Sequence, residues 1–229
     1  MAAQLWKGSR VEPERRAAEL NGEIGMAIRE ADTSDLLARV REEIEESVAV
    51  KRAALDLCGA SIARAVEVVI ETFRGGGKLL AFGNGGSAAD AQHLAAELAG
   101  RYLRERPALP ALALTANSSD ITAIGNDYGF DRVFARLVEA HGRAGDVAVA
   151  ISTSGSSPNV LAGVEMARER GLRTIGLTGR GGGTLAGMVD VAIVVPSNAT
   201  PRIQEMHITA VHMICALVEE TLIARGAGA

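Results

Sequence analysis

The sequence predicts an α/β protein built around a parallel β-sheet. Five short apolar runs alternate with helical segments: Leu79–Phe82, Ala111–Thr115, Val147–Ser152, Thr174–Thr178 and Val191–Val195. The runs are strongly apolar rather than apolar on alternate residues, which is typical of strands buried on both faces. Alternation of such strands with helices gives a parallel sheet with right-handed crossovers, and these sheets bind ligands at the carboxyl ends of their strands.

Two helices are predicted before the first strand. One begins near Ser34, a suitable N-cap, and carries apolar residues at helical spacing, namely Leu37, Val40, Ile44 and Val48. The second runs from about Ala54 to Phe73 and ends at the glycines of residues 75–77. A long closing helix is predicted from Pro201 to about Arg225.

Residues 1–32 are predicted to form an N-terminal extension to a main domain of residues 33–229. An amphipathic helix over Pro13–Asp32 is expected to be weak, because Gly22 and Gly25 interrupt it. A chain of 229 residues fits one domain with accessory helices.

The composition argues against several classes of protein. The net charge is −4, the pI is about 5.7 and aromatic residues make up 3% of the chain, which disfavours a nucleic-acid-binding surface. Cys58 and Cys215 stand in apolar helical contexts and are predicted to be reduced thiols in the core. The N-terminus lacks a signal-peptide pattern, and no apolar run approaches the ~18 residues of a membrane span. We therefore expect a cytoplasmic protein without a membrane or nucleic-acid partner.

A glycine-rich turn, GNGGS at residues 83–87, follows the first predicted strand and opens a helix. Backbone N–H groups at a helix start bind anions, and Ser87 is expected either to cap the helix or to donate to a phosphate oxygen. The turn is not a Walker loop, because no Gly-Lys-Ser/Thr follows. It loosely matches a dinucleotide fingerprint, but the nearest acidic residue, Glu105, precedes the second strand. A phosphate cradle is favoured, with a ligand-free turn as the alternative.

The residues after the third predicted strand are rich in hydroxyl groups. The segment STSGSSPN occupies residues 152–159, and Pro158 is placed to begin a helix with Ser157 as its cap. Without Lys or Arg, this segment suits a phosphate monoester held by hydroxyls, backbone N–H groups and a helix N-terminus. A polar linker is the alternative, but linkers seldom lie between a buried strand and a helix that begins with proline.

His93 and Glu97 lie four residues apart on the helix after the glycine-rich turn, so they share one face. The closing helix offers Gln204, His207 and His212 as partners. At ~100° per residue, Gln204 and His212 lie about 80° apart, whereas the two histidines lie about 140° apart and do not easily serve one centre. Spacing therefore permits Gln204 with either histidine. Nitrogen and oxygen ligands of this kind suit zinc or a similar divalent ion.

Two further turns are less informative. The segment GRGGG at residues 179–183 is interpreted as a flexible connection rather than a second phosphate site. The segment GNDYG at residues 125–129 is a common turn pattern, equally compatible with a contact to sugar hydroxyls.

Several long segments, in order and at the right separations, resemble one family. They are GNGGSAADAQHLAAELAGR (83–101), AIGNDYGF (123–130), GDVAVAISTSGSSPNV (145–160), LTGRGGG (177–183) and RIQEMHITAVH (202–212). Over about residues 33–225 the chain resembles the phosphosugar-isomerase (SIS) domain family and, within it, the phosphoheptose isomerases of the GmhA type. The resemblance implies a three-layer α/β/α sandwich with a central five-stranded parallel sheet, flanked by N- and C-terminal helices.

The resemblance also implies an activity, the conversion of sedoheptulose 7-phosphate to D-glycero-D-manno-heptose 7-phosphate through an enediol, as the first step of ADP- or GDP-heptose biosynthesis. It implies that Glu97 and His212 are the acid/base pair, and so selects His212 over His207. It implies one zinc or other divalent ion per subunit, bound by His93, Glu97, Gln204 and His212. The implied substrate contacts are Asn84, Gly85, Gly86, Ser87, Glu97, Asn126, Asp127, Ser152, Thr153, Ser154, Ser157 and Gln204.

The family further implies a homotetramer with active sites at subunit interfaces. Two alternatives remain: a non-catalytic relative that binds the replication initiator DnaA, and an isomerase of another phosphosugar. Such regulators differ from this chain at the acid/base positions, where Glu97 and His212 are both present. The chain departs from the family pattern in residues 1–32 and in Ser197–Pro201, where relatives often place an acidic residue. The second departure bears on sugar selectivity.

Overall fold

The computed structural model describes residues 33–226. The chain divides into two compact units, Met1–Glu46 and Ser47–Ala229. In the first unit, the described residues 33–46 are helical, and the helix predicted over Pro13–Asp32 lies outside the described residues. The sheet and the candidate site belong to the second unit.

Helices and strands alternate along the chain as the sequence predicts. In order, and leaving aside two short 3-10 turns at Phe130–Arg132 and Arg180–Gly182, the elements are α1 (Thr33–Arg74), β1 (Leu79–Gly83), α2 (Gly86–Ala99), β2 (Ala111–Ala113), α3 (Ser118–Tyr128), α4 (Val133–His141), β3 (Val147–Ser152), α5 (Pro158–Glu169), β4 (Arg173–Thr178), α6 (Gly183–Ala186), β5 (Val191–Val194) and α7 (Thr200–Gly226).

The strands form one parallel sheet of five in the order β2-β1-β3-β4-β5. Successive side chains of β1 enter two different cores. Leu79 and Ala81 pack in a cluster with α1, α2 and α7, whereas Leu80 and Phe82 pack in a second cluster with α4 and α5. The predicted three-layer α/β/α sandwich is therefore confirmed.

The first two predicted helices are in fact one continuous helix, α1, and this prediction was wrong. The stretch between them, VAVKRA at residues 48–53, contains neither Gly nor Pro, so nothing in the chain ends the first helix. From Ala54 onward α1 contributes buried residues to the core. The predicted apolar positions Leu37, Val40 and Ile44 are exposed instead.

Two other boundaries differ from prediction. Strand β2 ends at Ala113 rather than Thr115, because the chain turns there and the Ala116 N–H bonds back to the Ala113 carbonyl. The residues 125–128, predicted as a turn, form the last part of α3. That helix is capped by Asn117, whose side chain accepts hydrogen bonds from the N–H groups of Ser119 and Asp120, and it ends at Gly129.

The closing helix α7 forms as predicted and contributes one apolar face to the core. In the part of the chain that is described, one segment, Thr200–Ile223, is long and apolar enough to cross a membrane by length and composition alone. Its apolar residues Ile203, Met206, Ala210, Val211, Ile214 and Val218 belong to the core cluster against the sheet. Cys58 and Cys215 are buried and free, in agreement with the prediction for the two thiols.

Candidate active site

The candidate site lies at the carboxyl edge of the sheet, where the strand order reverses. From β1 the chain passes to β2 on one side, and from β3 it passes to β4 on the other, so the loops after β1 and β3 flank a crevice. The side chains of Asn84 and Asn159 bridge these loops through two reciprocal amide hydrogen bonds of 2.8 and 2.9 Å. Sequence reasoning gave no role to Asn159, because a single Asn in a helical first turn carries no signal.

The turn after β1 presents its backbone at the start of α2. Gly85 is the N-cap with φ of 55°, a conformation that favours glycine. A Cβ atom at Gly86 would overlap the amide nitrogen of Gln204, so glycine at this position lets α7 bring that amide against the turn. The predicted site residues Gly85, Gly86 and Gln204 are therefore brought together.

Ser87 does not have the first of its two predicted roles, that of the helix cap. It lies inside the first turn of α2 and does not cap the helix, whose cap residue Gly85 makes no side-chain hydrogen bond. The cap prediction was wrong because the helix begins at Gly86, two residues earlier than a Ser87 cap would require. Ser87 is buried, whereas Gly85 and Gly86 are exposed.

The loop after β3 gathers the predicted hydroxyl groups. Ser152 Oγ lies 2.9 Å from Ser157 Oγ and 3.5 Å from Ser154 Oγ. Ser157 is the N-cap of α5, yet its side chain makes no capping hydrogen bond to that helix. Its hydroxyl is thus turned toward the serine cluster, as expected for a group that holds a ligand rather than a helix end. Thr153 lies between the first two serines and is half-buried.

The glycine loop after β4 supports the serine loop. The Gly179 N–H donates to the Thr153 carbonyl, and the Leu185 N–H donates to the Gly155 carbonyl. A Cβ at Gly155 would overlap the Gly182 backbone, so the two loops pack without room for a side chain. The sequence interpretation of a flexible connection missed this contact, because close backbone packing leaves no sequence pattern beyond the glycines themselves.

His93, Glu97 and His212 form the chemical centre of the site. His93 Nε2 lies 3.0 Å from Glu97 Oε1, one turn further along α2. The same His93 Nε2 lies 3.2 Å from His212 Nε2, which α7 brings in from the other end of the chain. All three side chains are at least partly open to solvent. An imidazole, a second imidazole and a carboxylate therefore meet within hydrogen-bond distance.

The two histidines of α7 lie in different environments. His207 is fully buried, and its Nε2 lies 3.2 Å from the Thr178 carbonyl, on the core side of the helix. Burial lowers the pKa of His207 to about 4, although the hydrogen bond to Thr178 partly opposes this. A neutral, inward-facing imidazole has no access to the site. His212 is the histidine that reaches His93.

Two residues near this centre were not identified from the sequence. The Tyr102 ring stacks on His212, with centroids 5.6 Å apart and an angle of 27° between the planes. Asp90 lies one turn before His93 on α2, and its Oδ2 is buried without a hydrogen-bond partner. Burial raises the pKa of Asp90 to about 6, with the positive charge of His93 opposing it. No spacing pattern in the sequence predicts a role for Tyr102 or Asp90.

The predicted sugar contacts Asn126 and Asp127 lie on α3, whereas His93 and Glu97 lie on α2 and His212 lies on α7. Both are exposed near the end of α3, where the Asn126 amide donates to the Asp127 carboxylate at 2.8 Å. Within the described residues, neither makes a hydrogen bond to His93, Glu97, His212 or the serine loop. The described contacts therefore leave their predicted role untested.

The side chains at the centre carry nitrogen and oxygen atoms of the kind that zinc takes as ligands, but no three His, Cys, Asp or Glu side chains of residues 33–226 form a group that could hold a metal ion. Tetrahedral zinc with nitrogen and oxygen ligands places neighbouring ligand atoms about 3.3 Å apart. The separations from His93 Nε2, 3.2 Å to His212 and 3.0 Å to Glu97, match two edges of such a tetrahedron. Gln204 stands at the Gly86 turn and offers an amide oxygen as a further ligand.

Comparison with known proteins agrees with this geometry. Residues 36–179 match the SIS domain family. A phosphoheptose isomerase of Rhodospirillum rubrum is 61% identical over 165 residues, covering 72% of this chain and 88% of that protein. A phosphoheptose isomerase of Citrifermentans bemidjiense is 52% identical over 191 residues, covering 83% of this chain and all of that protein.

A solved structure shows the same relationship in three dimensions. The phosphoheptose isomerase GmhA from Neisseria gonorrhoeae superposes with a TM-score of 0.77 at 47% identity, covering 81% of this chain and 99% of that one. The family match over residues 36–179 spans β1 to β4 and includes the serine loop. The chain belongs to the SIS domain family and, within it, to the phosphoheptose isomerases.

Proposed function

We propose that this chain catalyses the isomerisation of sedoheptulose 7-phosphate to D-glycero-D-manno-heptose 7-phosphate. Its place among the phosphoheptose isomerases supports this activity, and the alternatives of a DnaA-binding regulator and of another phosphosugar isomerase are not favoured. The observation that carries the proposal is the meeting of Glu97 and His212 at His93, on the helix that begins at the glycine-rich turn, whose Asn84 bonds to Asn159 after the serine loop.

The serine loop is the proposed phosphate site. The hydroxyls of Ser152, Ser154 and Ser157 already face one another, and each would donate to a phosphate oxygen. The N-terminus of α5 adds the positive end of its dipole. Thr153, Asn84 and the Gly85–Ser87 turn complete the proposed substrate contacts. Holding the phosphate here places the other end of the sugar within the crevice, where the acid/base groups lie.

The acid/base pair performs two proton transfers. Glu97 takes the proton from C1 of the ketose and returns it to C2, and His212 moves the hydroxyl proton of O1 to the oxygen on C2. A cis-enediol lies between the two steps, and C1 becomes the aldehyde. His93, hydrogen-bonded to Glu97 and close to His212, fixes the orientation of both groups.

A zinc or similar divalent ion, one per subunit, is proposed to bind His93, Glu97, Gln204 and His212. When bound, such an ion supplies positive charge that polarises a carbonyl and stabilises developing negative charge on oxygen. A carboxylate bound to zinc is a weaker base than a free one. With the ion bound, Glu97 would therefore act as a base only if its carboxylate kept enough basicity to accept the carbon-bound proton.

A homotetramer with active sites at subunit interfaces is proposed as the working form. Leu37, Val40 and Ile44 repeat at helical spacing along α1 and are exposed. Helix α3 has no buried residue, and Tyr128 and Phe130 at its end are also exposed. A second copy that covers these residues would bring Asn126 and Asp127 to a neighbouring site. We place the enzyme in the cytoplasm, and the proposal involves neither nucleic acid nor membrane.

The proposal is tested by incubating the zinc-loaded protein with sedoheptulose 7-phosphate, a pentose 5-phosphate and a hexose 6-phosphate in separate reactions. The sugar phosphates are resolved by NMR. Formation of heptose 7-phosphate at a much higher kcat/KM than conversion of the shorter sugars is expected. Preferred conversion of a shorter sugar would reassign the substrate, and no conversion of any sugar would refute the isomerase proposal.

A further inference from the structure

A buried ion pair lies behind the catalytic centre and joins the segment after α2 to α7. Arg106 Nε donates to Glu219 Oε2 at 3.1 Å, and the exposed fractions of the two side chains are 3% and 2%. The Glu219 carboxylate also accepts the backbone N–H groups of Tyr102, Leu103 and Arg104. Burial alone would raise the pKa of Glu219, but these N–H groups and the Arg106 charge lower it below its usual value.

Arg106 closes the end of the helix that carries Glu97. Its Nη2 donates to the Glu97 carbonyl at 2.8 Å, and its Nη1 donates to the Leu98 carbonyl at 2.9 Å. These carbonyls belong to the last turn of α2, where a helix has no partners of its own. The guanidinium charge also complements the negative end of the helix dipole. The backbone at Glu97 is thus held by Arg106.

Glu219 is linked to His212, the second residue of the proposed acid/base pair. It stands on α7 seven positions after His212, or two turns along the same face. The segment that it binds contains Tyr102, whose N–H donates to Glu219 Oε2 at 3.0 Å and whose ring stacks on His212. The imidazole therefore rests on a ring whose backbone is fixed by this carboxylate.

We propose that Arg106 and Glu219 are positioning residues for the proton transfers of Glu97 and His212. This inference rests on the proposed isomerase function. One contact runs from Arg106 to the Glu97 backbone, and the other runs from Glu219 through Tyr102 to the His212 ring. The ion pair joins the two contacts and sets the spacing between the acid and the base.

The chemistry of the pair supports a positioning role over simple stabilisation. Removing two charges from water is costly, and apolar residues of similar size often stabilise a core as well or better. A guanidinium and a carboxylate instead fix directions, because each makes several hydrogen bonds of defined geometry. Here those bonds end on the backbone of Glu97 and Tyr102, next to the two catalytic groups.

Glu219→Gln is the principal test, with Asp146→Asn as its matched control. Asp146 is also a buried carboxylate that accepts backbone N–H groups, from Lys78 and Arg143, and pairs with the Lys78 ammonium. It lies before β3, at the sheet edge away from the site. For Glu219→Gln we expect kcat to fall about 10- to 100-fold with KM within about two-fold of wild type. For Asp146→Asn we expect lower stability with unchanged kcat.

A second readout does not depend on turnover. The chain has 4 histidines, so the His212 ring protons can be followed by NMR in protein labelled at histidine. The ring-current shift that Tyr102 imposes on His212 is expected to diminish in Glu219→Gln and in Arg106→Lys, and to remain in Asp146→Asn. If the wild type shows this shift but converts no phosphosugar, the proposed function fails while the positioning contact stands.

Two further variants keep the inference testable if Glu219→Gln does not fold. Arg106→Lys retains the charge but loses the fork that reaches several carbonyls, and Tyr102→Leu removes the stacked ring without touching the ion pair. Both are expected to lower kcat at least about five-fold with little change in KM. Wild-type kcat in Arg106→Lys and Tyr102→Leu, or equal losses of kcat in Glu219→Gln and Asp146→Asn, would overturn the inference.

Discussion

The Nε2 atoms of His93 and His212 lie 3.2 Å apart, although 119 residues separate them in the chain. Two imidazole nitrogens at this distance share either a proton or a common cation. Glu97 Oε1 approaches the same His93 nitrogen at 3.0 Å, so a carboxylate is ready to balance positive charge there. This arrangement supports the proposed acid/base chemistry and the proposed divalent-ion site.

Removal of the metal is expected to abolish turnover, and zinc is expected to restore it. His93→Ala deletes the nitrogen common to both contacts and should reduce zinc affinity at least about 10-fold. The measurement is zinc content after dialysis, together with activity before and after chelation. His141→Ala is the control, because His141 is an exposed residue at the end of α4. Full zinc binding by His93→Ala would contradict the proposed ligand set.

Loss of hydroxyls from the serine loop is expected to weaken phosphate binding. Ser152→Ala and Ser157→Ala each remove one hydrogen bond to a charged group, which corresponds to about 10- to 100-fold in affinity for inorganic phosphate by calorimetry. Ser156→Ala serves as the control, because Ser156 is exposed and its hydroxyl contacts only the backbone of its own loop. Equal affinities for all three variants would place the phosphate elsewhere.

Gly86→Ala is expected to displace Gln204 and to lower kcat. A Cβ at residue 86 would overlap the Gln204 amide, and that amide must move away from the site. We expect a loss of about 10-fold or more in kcat with the fold retained. Gly59→Ala is the matched control on a helix, since a Cβ there meets nothing within 4 Å. Unchanged activity in Gly86→Ala would show that Gln204 has no role in the reaction.

His207 is expected to make the fold sensitive to acid. Folding keeps the pKa of His207 at about 4, against 6.5 for the ordinary side chain. As the pH falls, the unfolded chain therefore binds the proton before the folded chain does. The contribution of His207 to the unfolding free energy is present above pH 6.5 and is lost as the pH falls toward 4. From pH 7 to pH 5 this group should cost about 2 kcal/mol of unfolding free energy.

The comparison is between wild type and His207→Leu in urea unfolding at both pH values. The variant is expected to lose clearly less stability on acidification, whatever its stability at pH 7. The control variant His141→Leu changes a surface residue and should lose as much unfolding free energy on acidification as wild type does. An identical pH dependence in His207→Leu and wild type would show that His207 is not the group responsible.

The sheet could be predicted because its strands are buried on both faces, which leaves apolar runs of a recognisable length. The serine loop and the glycine-rich turn were predictable because strand ends in a parallel sheet meet at one edge. The prediction of two helices before β1 was wrong because residues 48–53 contain neither Gly nor Pro, so the helix continues from Thr33 to Arg74.

The choice between His207 and His212 could not be made from spacing, because it depends on which face of α7 meets the sheet. Only tertiary packing shows that His207 points to Thr178 and His212 to His93. The Arg106–Glu219 pair was invisible for a similar reason. Arg106 and Glu219 lie 113 residues apart in the chain. A charged residue in a polar segment ordinarily predicts only an exposed side chain.

Glu97 is proposed to transfer the carbon-bound proton of a phosphoheptose. The most direct measurement is the initial rate of sedoheptulose 7-phosphate conversion by zinc-loaded wild type and Glu97→Gln, followed by NMR. Gln keeps the size of the side chain and removes its basicity. We predict that the wild type converts the substrate and that kcat of Glu97→Gln is lower by about 100-fold or more. Phosphate binding by the variant is expected to be retained. Turnover by Glu97→Gln at the wild-type rate would contradict the proposed role of Glu97.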